Sequence, residues 1–185
     1  MSESWYALHV KPRFESYVSN QLSVKGYETF LPSYIAKRKW SDRVKSLSLP
    51  LFPGYVFSRF EVNSRLPILV TPGVMAVVGS GRIPTPIDDV EMAAIRRLID
   101  SGVPAQRWPY LNCGEMVRVE DGPLEGLTGI VVRLKGMDRL VVSVSLLMRS
   151  VSVEIERNSV KPIGYTKGVV REHTELAVAS PYSFK

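Results

Sequence analysis

The chain has 185 residues, 45% of them hydrophobic and 23% charged, with a formal net charge of +6. That composition belongs to a globular protein with a real core, and excludes disordered and fibrous classes. The single cysteine, Cys113, excludes an internal disulfide framework and fits a reducing compartment. No apolar stretch approaches the ~18–20 residues that a membrane span needs, and the opening "MSESWYALHVKPRF" lacks a signal-type apolar run. These points give the expectation of a cytoplasmic protein. The charge is uneven: residues 1–101 hold 13 Lys/Arg against 9 Asp/Glu, whereas 113–164 hold 7 against 7. A basic half followed by a neutral half predicts two units with different partners.

In chain order, "WYALHVK" (5–11) predicts a strand. Pro12 suits the first turn of a following helix. Phe14, Val18 and Leu22 stack at i, i+4 and i+8 on its buried side, and Gly26 is the C-cap. "YETFLPSYIAKRKW" is extended and interrupted by Pro32, and "RVKSLSLP" returns as the second arm of a hairpin turning at Ser41-Asp42. "PLFPGYVFSRF" (50–60) is a strand with aromatics on both faces: Tyr55 and Phe57 on one, Val56 and Phe60 on the other. "NSRLPILV" reads as a short helix capped by Asn63 or Ser64, and "GVMAVVG" as a further strand. Asp88 with Glu91 three residues on is a variant of the capping box, opening a helix that Gly102 stops. "GVPAQRWPYLNCG" has two prolines and no period, so 102–112 is read as a linker. Beyond it, five short alternating strands occupy 113–164, the pattern of a small barrel. Residues 165–185 carry no pattern and are read as a flexible tail. The fold class is α+β: an N-terminal unit over 1–101 with an antiparallel sheet flanked by helices, then the barrel.

Catalytic chemistry has no footing. His9 and His173 are the two histidines, no His/Cys cluster has metal spacing, and Asp88-Asp89 is explained as helix-cap charge. "VVGSGRIP" lacks the third glycine and the immediate helix of a phosphate-binding loop. The expectation is no enzyme, no metal and no cofactor.

Three groups of residues remain. Lys37, Arg38, Lys39, Arg43 and Lys45 surround Trp40 on the hairpin, either as a solvated face or as a ribbon for phosphates and base stacking. Phe52 and Tyr55 lie where the aromatic strand begins, beside Pro53-Gly54, either as core or as an interface for a protein partner. Leu124, Leu127, Leu146, Leu147 and Met148 either cap the barrel ends or form a small exposed patch.

"WYALHVKPRFE", "LFPGYVFSRF", "TPGVMAVVG" and "GEMVRVEDGPLEGLTGIVV", in that order, resemble the NusG family of transcription elongation factors over about residues 4–163, the last stretch resembling its KOW motif. "KGYETFLP", "RKWSDR" and "PLFPGYVF" look most like the specialised paralogues of RfaH and UpxY type. The resemblance implies an N-terminal NGN-like domain, which binds the clamp helices of RNA polymerase, and a five-stranded KOW barrel that recruits another protein. The positions matching the polymerase-binding surface are Trp5, Tyr6, His9, Phe52, Pro53 and Tyr55, with Ser64 and Arg65 matching the contact to the opposite jaw. The basic hairpin would face upstream or non-template DNA. Leu124, Leu146, Leu147 and Arg149 match the barrel loops that take a termination factor (Rho) or a small-subunit ribosomal protein. The implied function is a monomeric, non-enzymatic factor that suppresses pausing and promotes antitermination. The alternatives are a general NusG elongation factor, or a ribosome-associated RNA-binding KOW protein. Strand-forming residues in "LVVSVSLL" and "SVSVEI" predict that 113–164 stays strand-rich in the full chain.

Overall fold

The computed structural model describes residues 3–39, 44–81, 83–109, 114–134 and 137–166. The N-terminal unit is built on an antiparallel sheet ordered β2-β5-β1-β6, from β1 (Ser4–Val10), β2 (Glu28–Phe30), β5 (Tyr55–Phe60) and β6 (Val74–Val77). Between β2 and β5 runs a two-stranded ribbon, β3 (Ser33–Lys39) paired with β4 (Val44–Pro50). Helix α1 (Glu15–Val24) and a single turn, α2 (Leu66–Leu69), lie on one side of the chain path. The short pair β7 (Gly79–Ser80) and β8 (Ile83–Pro84) leads into α3 (Asp89–Asp100).

Alternation along β1 and β5 sorts the sheet into two faces. Tyr6, Leu8, Val10, Val56 and Phe60 join Val18, Leu22 and Ile68 in one buried cluster. Trp5, Ala7 and Phe57 join Met92, Ile95 and Leu98 of α3 in another. The aromatic strand is therefore a central one, buried on both faces, which is why it dispenses with a polar side. α1 differs from expectation in two details. Pro12 sits in a turn before the helix, and the i-position taken as Phe14 is 40% exposed. Glu15 is the buried residue of that turn, because its Oε1 accepts the Gly54 N–H at 2.8 Å.

The C-terminal unit is an antiparallel sheet ordered β14-β10-β11-β12-β13-β9. Five of its strands are those expected: β10 (Gly114–Val119), β11 (Thr128–Leu134), β12 (Met137–Val144), β13 (Arg149–Glu154) and β14 (Val160–Thr166). The sixth, β9 (Ala105–Pro109), comes from the segment read as linker and pairs with β13, with Arg107 opposite Val151 and Gln106 opposite Ser152. It has no amphipathic period to announce it, and its strand state is imposed by the open edge of β13. Of the residues given to the flexible tail, Tyr165 and Thr166 instead extend β14, paired with Glu115 and Gly114 of β10; those beyond Thr166, and the hairpin turn at Ser41-Asp42, lie outside the described residues.

The two units share one core. Leu124, Leu127, Leu140, Val142, Val144 and Leu147 of the barrel belong to the same contiguous cluster as Phe52, Phe57 and the inner face of α3. α3 touches both β1 and β12, so it is the layer between the two sheets. This explains why β12 is buried on both of its faces over most of its length. Among the described residues no helix is long and apolar enough to cross a membrane.

Candidate functional site

Of the residues singled out for partner binding, Phe52, Tyr55, Leu124, Leu146, Leu147 and Arg149 lie where the barrel meets the N-terminal unit. Phe52 begins the approach to β5 and is 1% exposed, its ring edge-on to Phe57 at 5.5 Å. The turn that presents it is pinned from both sides. Gly54 takes a positive φ of +83°, donates its N–H to Glu15, and offers its carbonyl to the Val10 N–H at 2.9 Å. A side chain here would be strained in that backbone region, so glycine is what lets the chain reverse so sharply. Pro53 and Tyr55 are half-buried, and the Tyr55 ring lies 5.5 Å from the exposed His9.

Trp5 lies on the same face, two strand positions from Ala7. The Arg96 guanidinium sits over its ring at 4.8 Å and over Phe30 at 5.2 Å, and Arg96 Nη2 pairs with Glu28 at 2.6 Å. A cation held over two aromatic faces gains from the ring quadrupoles while its charge is balanced by the carboxylate. Tyr6 does not belong to this group. Adjacent strand residues point to opposite faces, and Tyr6 stacks on Phe60 at 4.7 Å in the α1-side core. Ser64 and Arg65 follow the far end of β5, one strand length from Tyr55 or roughly 17 Å at the usual rise. Arg65 Nη1 donates to the Val62 carbonyl at 2.9 Å, which holds the short helical turn together.

The barrel residues meet this face directly. Leu124 and Leu147 are buried in the shared cluster, and Leu146 packs against it. The Arg149 guanidinium lies over the Tyr55 ring at 5.2 Å. Two polar ties frame the apolar contact. Glu91 accepts the Ser145 hydroxyl at 2.6 Å and the Ser145 N–H with both carboxylate oxygens at 3.2 Å. Arg97 donates to the Glu125 carbonyl, which Gly126, at φ +77°, turns toward α3. Glu91 thus departs from the capping-box expectation. Asp88 alone caps α3, accepting the Val90 N–H at 2.8 Å, and the Glu91 carboxylate reaches the other domain instead. Sequence reasoning missed Glu91, Ser145, Arg96 and Arg97 as contact residues. A carboxylate three residues past an N-cap was the only signal, and it has a local explanation that conceals the distant one.

The ribbon β3–β4 places Lys37, Arg38 and Lys39 opposite Ser46, Lys45 and Val44, while Trp40 and Arg43 lie outside the described residues. At its root, the Tyr34 hydroxyl accepts a hydrogen bond from Arg107 of β9 at 2.9 Å. No group of three or more potential metal ligands occurs among the described residues. The arrangement is one of contact: aromatic and aliphatic residues of the two units in one cluster, with Arg96, Arg97, Arg149 and Glu91 around it.

The model of a family described as transcription termination factor NusG matches residues 3–96. The transcription termination/antitermination protein NusG of Pseudomonas aeruginosa is 31% identical over 177 residues, covering 88% of this chain and 100% of the relative. That of Escherichia coli K12 is 32% identical over 172 residues, covering 85% of this chain and 94% of the relative. A solved structure of NusG from Thermotoga maritima, described for its domain interaction, superposes with a TM-score of 0.52 at 23% identity, covering 89% of this chain and 99% of that one. That likeness supports the fold of an NGN-like domain followed by a KOW domain. The chain belongs to the NusG family, a family of non-enzymatic transcription factors.

Proposed function

We propose that this protein is a transcription elongation factor that binds RNA polymerase through the Phe52–Tyr55 face, suppresses pausing and promotes antitermination. The observation that carries the reading is the character of that face. Trp5 and Phe52 are buried in a cluster that runs from the sheet through α3 into the barrel, and Tyr55, half-buried at the start of β5, has the barrel's Arg149 over its ring, with polar ties between the two units around it. Aromatic anchors of this kind supply most of the energy in protein interfaces. The polymerase clamp helices are the partner that the family resemblance implies for it. The basic ribbon with Lys37, Arg38, Lys39 and Lys45 then serves upstream or non-template DNA, with counterion release as its source of affinity.

The docked arrangement favours the specialised over the general reading. A face closed by the barrel binds with an affinity reduced by the fraction of molecules that are open. Such a factor acts where something opens it, at particular operons, rather than on every transcript. The barrel loops carrying Leu124, Leu146, Leu147 and Arg149 are closed by the same contact, so a KOW partner (Rho or a small-subunit ribosomal protein) and polymerase each profit from the opening the other causes. The general elongation-factor reading is supported by the names of the relatives above.

Single-round transcription over a template with pause sites and a terminator tests this. The full chain should shorten pauses and raise read-through at a subset of leaders, and Tyr55→Ala should lose that effect together with polymerase binding. A Tyr55→Ala protein that stays folded and binds polymerase like the wild type would remove this face from the mechanism.

A further inference from the structure

Strand β9 joins the two units by more than chain connectivity, and we infer that it is a releasable strand: the domains part when β9 peels from β13, so opening the molecule and baring the β13 edge are one event. The functional consequence rests on the reading of the Phe52–Tyr55 face as the polymerase contact, but the structural argument does not.

The argument begins with reach. α3 ends at Asp100 and β9 begins at Ala105. With β9 paired, the chain between them spans at most about 18 Å, at ~3.6 Å per residue. Part of that length is already consumed. Ser101 Oγ donates to the Leu98 carbonyl at 2.8 Å and accepts the Val103 N–H at 3.2 Å, which curls the tether back onto the helix end. A helix with its side chains is about 10–12 Å across. A partner helix seated on Phe52 and Tyr55 would therefore need nearly the whole tether, with the barrel still held beside it. Once β9 is released, the tether runs from Asp100 to Gly114 and extends to about 50 Å by the same rise.

The second point is that β9 is held from both sides. Gln106 Nε2 reaches Ser152 Oγ of β13 at 3.4 Å, and Arg107 donates to Tyr34 of the N-terminal ribbon and lies over its ring at 5.6 Å. Lifting the barrel with β9 attached breaks the Arg107–Tyr34 contact, and keeping that contact strips β9 from β13. The third point is that β9 is built to be weak. It is five residues long with Gln106, Arg107 and Trp108 in its interior, Pro104 precedes it and Pro109 ends it, and a cleft of about 460 Å³ opens between residues 102–105, Ile99 and the ribbon root. β12 and β13, by contrast, are rich in buried Val. A short edge strand, paired along one side and carrying an exposed Arg107, is what local opening selects. While β9 is zipped, its short tether holds the docked faces at high effective concentration, and while they are docked, β9 stays in register. Each supports the other.

Native-state hydrogen exchange on the full chain tests the coupling without polymerase, so a failure of the polymerase reading leaves it legible. Glu91→Ala removes the tie to Ser145 and lies outside β9. It should raise exchange at 146–147 and at 105–108 by the same factor, about tenfold given the loss of charge-assisted hydrogen bonds, with β10, β11 and β12 unchanged; the Ser145 N–H, whose own acceptor is removed, does not enter the comparison. The double change Gln106→Pro with Arg107→Pro deletes a ladder donor whichever N–H faces β13, because adjacent residues alternate. It should deprotect 146–147 as strongly as Glu91→Ala does. Loss of protection at 146–147 with β9 still protected, or an unzipped β9 with 146–147 still protected, would make β9 a permanent sixth strand and overturn the inference. If Glu91→Ala moves neither segment, the double proline variant decides alone.

Discussion

The two faces of the N-terminal sheet are both buried, yet they are buried differently. On the α1 side, Tyr6, Leu8, Val10, Val56 and Phe60 meet Val18, Leu22 and Ile68 within one domain. On the α3 side, Trp5, Phe52 and Phe57 join the inner face of α3, and the same cluster runs on into a barrel that arrives from the other end of the chain. Around the second face stand Arg96 over Trp5, Arg149 over Tyr55, Glu91 on Ser145 and Arg97 on the Glu125 carbonyl. An apolar centre with a polar rim is the anatomy of an interface between separate bodies, not of a permanent core. Burial alone does not distinguish the two faces, whereas the ties that cross between the units, Glu91 to Ser145, Arg97 to Glu125 and Arg149 to Tyr55, do.

The contrast is sharpest under truncation. Phe60→Ala on the α1 side should cost about 3–5 kcal/mol of global stability, the range for an aromatic deleted from a close-packed core. A denaturant midpoint that barely moves would mean that this face is not the permanent one. Leu147→Ala on the barrel side should act on docking instead: about 2 kcal/mol toward the open form, with the unfolding midpoint of the N-terminal unit little changed and polymerase affinity higher than wild type. If Leu147→Ala unfolds the protein as Phe60→Ala does, the two faces are alike and the comparison collapses. Glu91→Ala should shift the same equilibrium about tenfold, or about 1.4 kcal/mol, since hydrogen bonds to a charged group net about that much. The smallest effect belongs to Arg149→Ala, about 0.5–1 kcal/mol for a cation over a ring near the surface. It should be read as a modest rise in hydrogen exchange at the docked segment, and it should vanish in a Tyr55→Ala background, where the ring is absent.

Local rules reach far into this molecule. The alternation in 50–60 places Phe57 against Val56 and Phe60 on opposite faces, and Asp88 caps α3 as its position demands. The same alternation shows why the polymerase-facing set carried over from the resemblance does not lie on one surface: Trp5 and Tyr6 are neighbours on a strand and must part. Position-by-position likeness to a family contains no parity, whereas the pleat enforces it. The linker shows the opposite case. "PAQRWP" has neither apolar period nor strand-rich composition, and the unpaired backbone edge of β13 makes it a strand.

What the chain determines by itself is whatever depends on neighbours within a few residues: the strands of the barrel, the caps of α3, the left-handed turn at Gly54, and the uneven distribution of charge between the halves. Tertiary structure alone decided that the barrel sits on the aromatic face, that Glu91 leaves its own helix end for Ser145, and that β9 exists. These are contacts between residues 39 to 94 positions apart, such as Gly54 with Glu15, Glu91 with Ser145, Arg107 with Tyr34 and Arg149 with Tyr55. Their formation depends on the summed burial of two apolar surfaces, and no local spacing records which surface will be chosen.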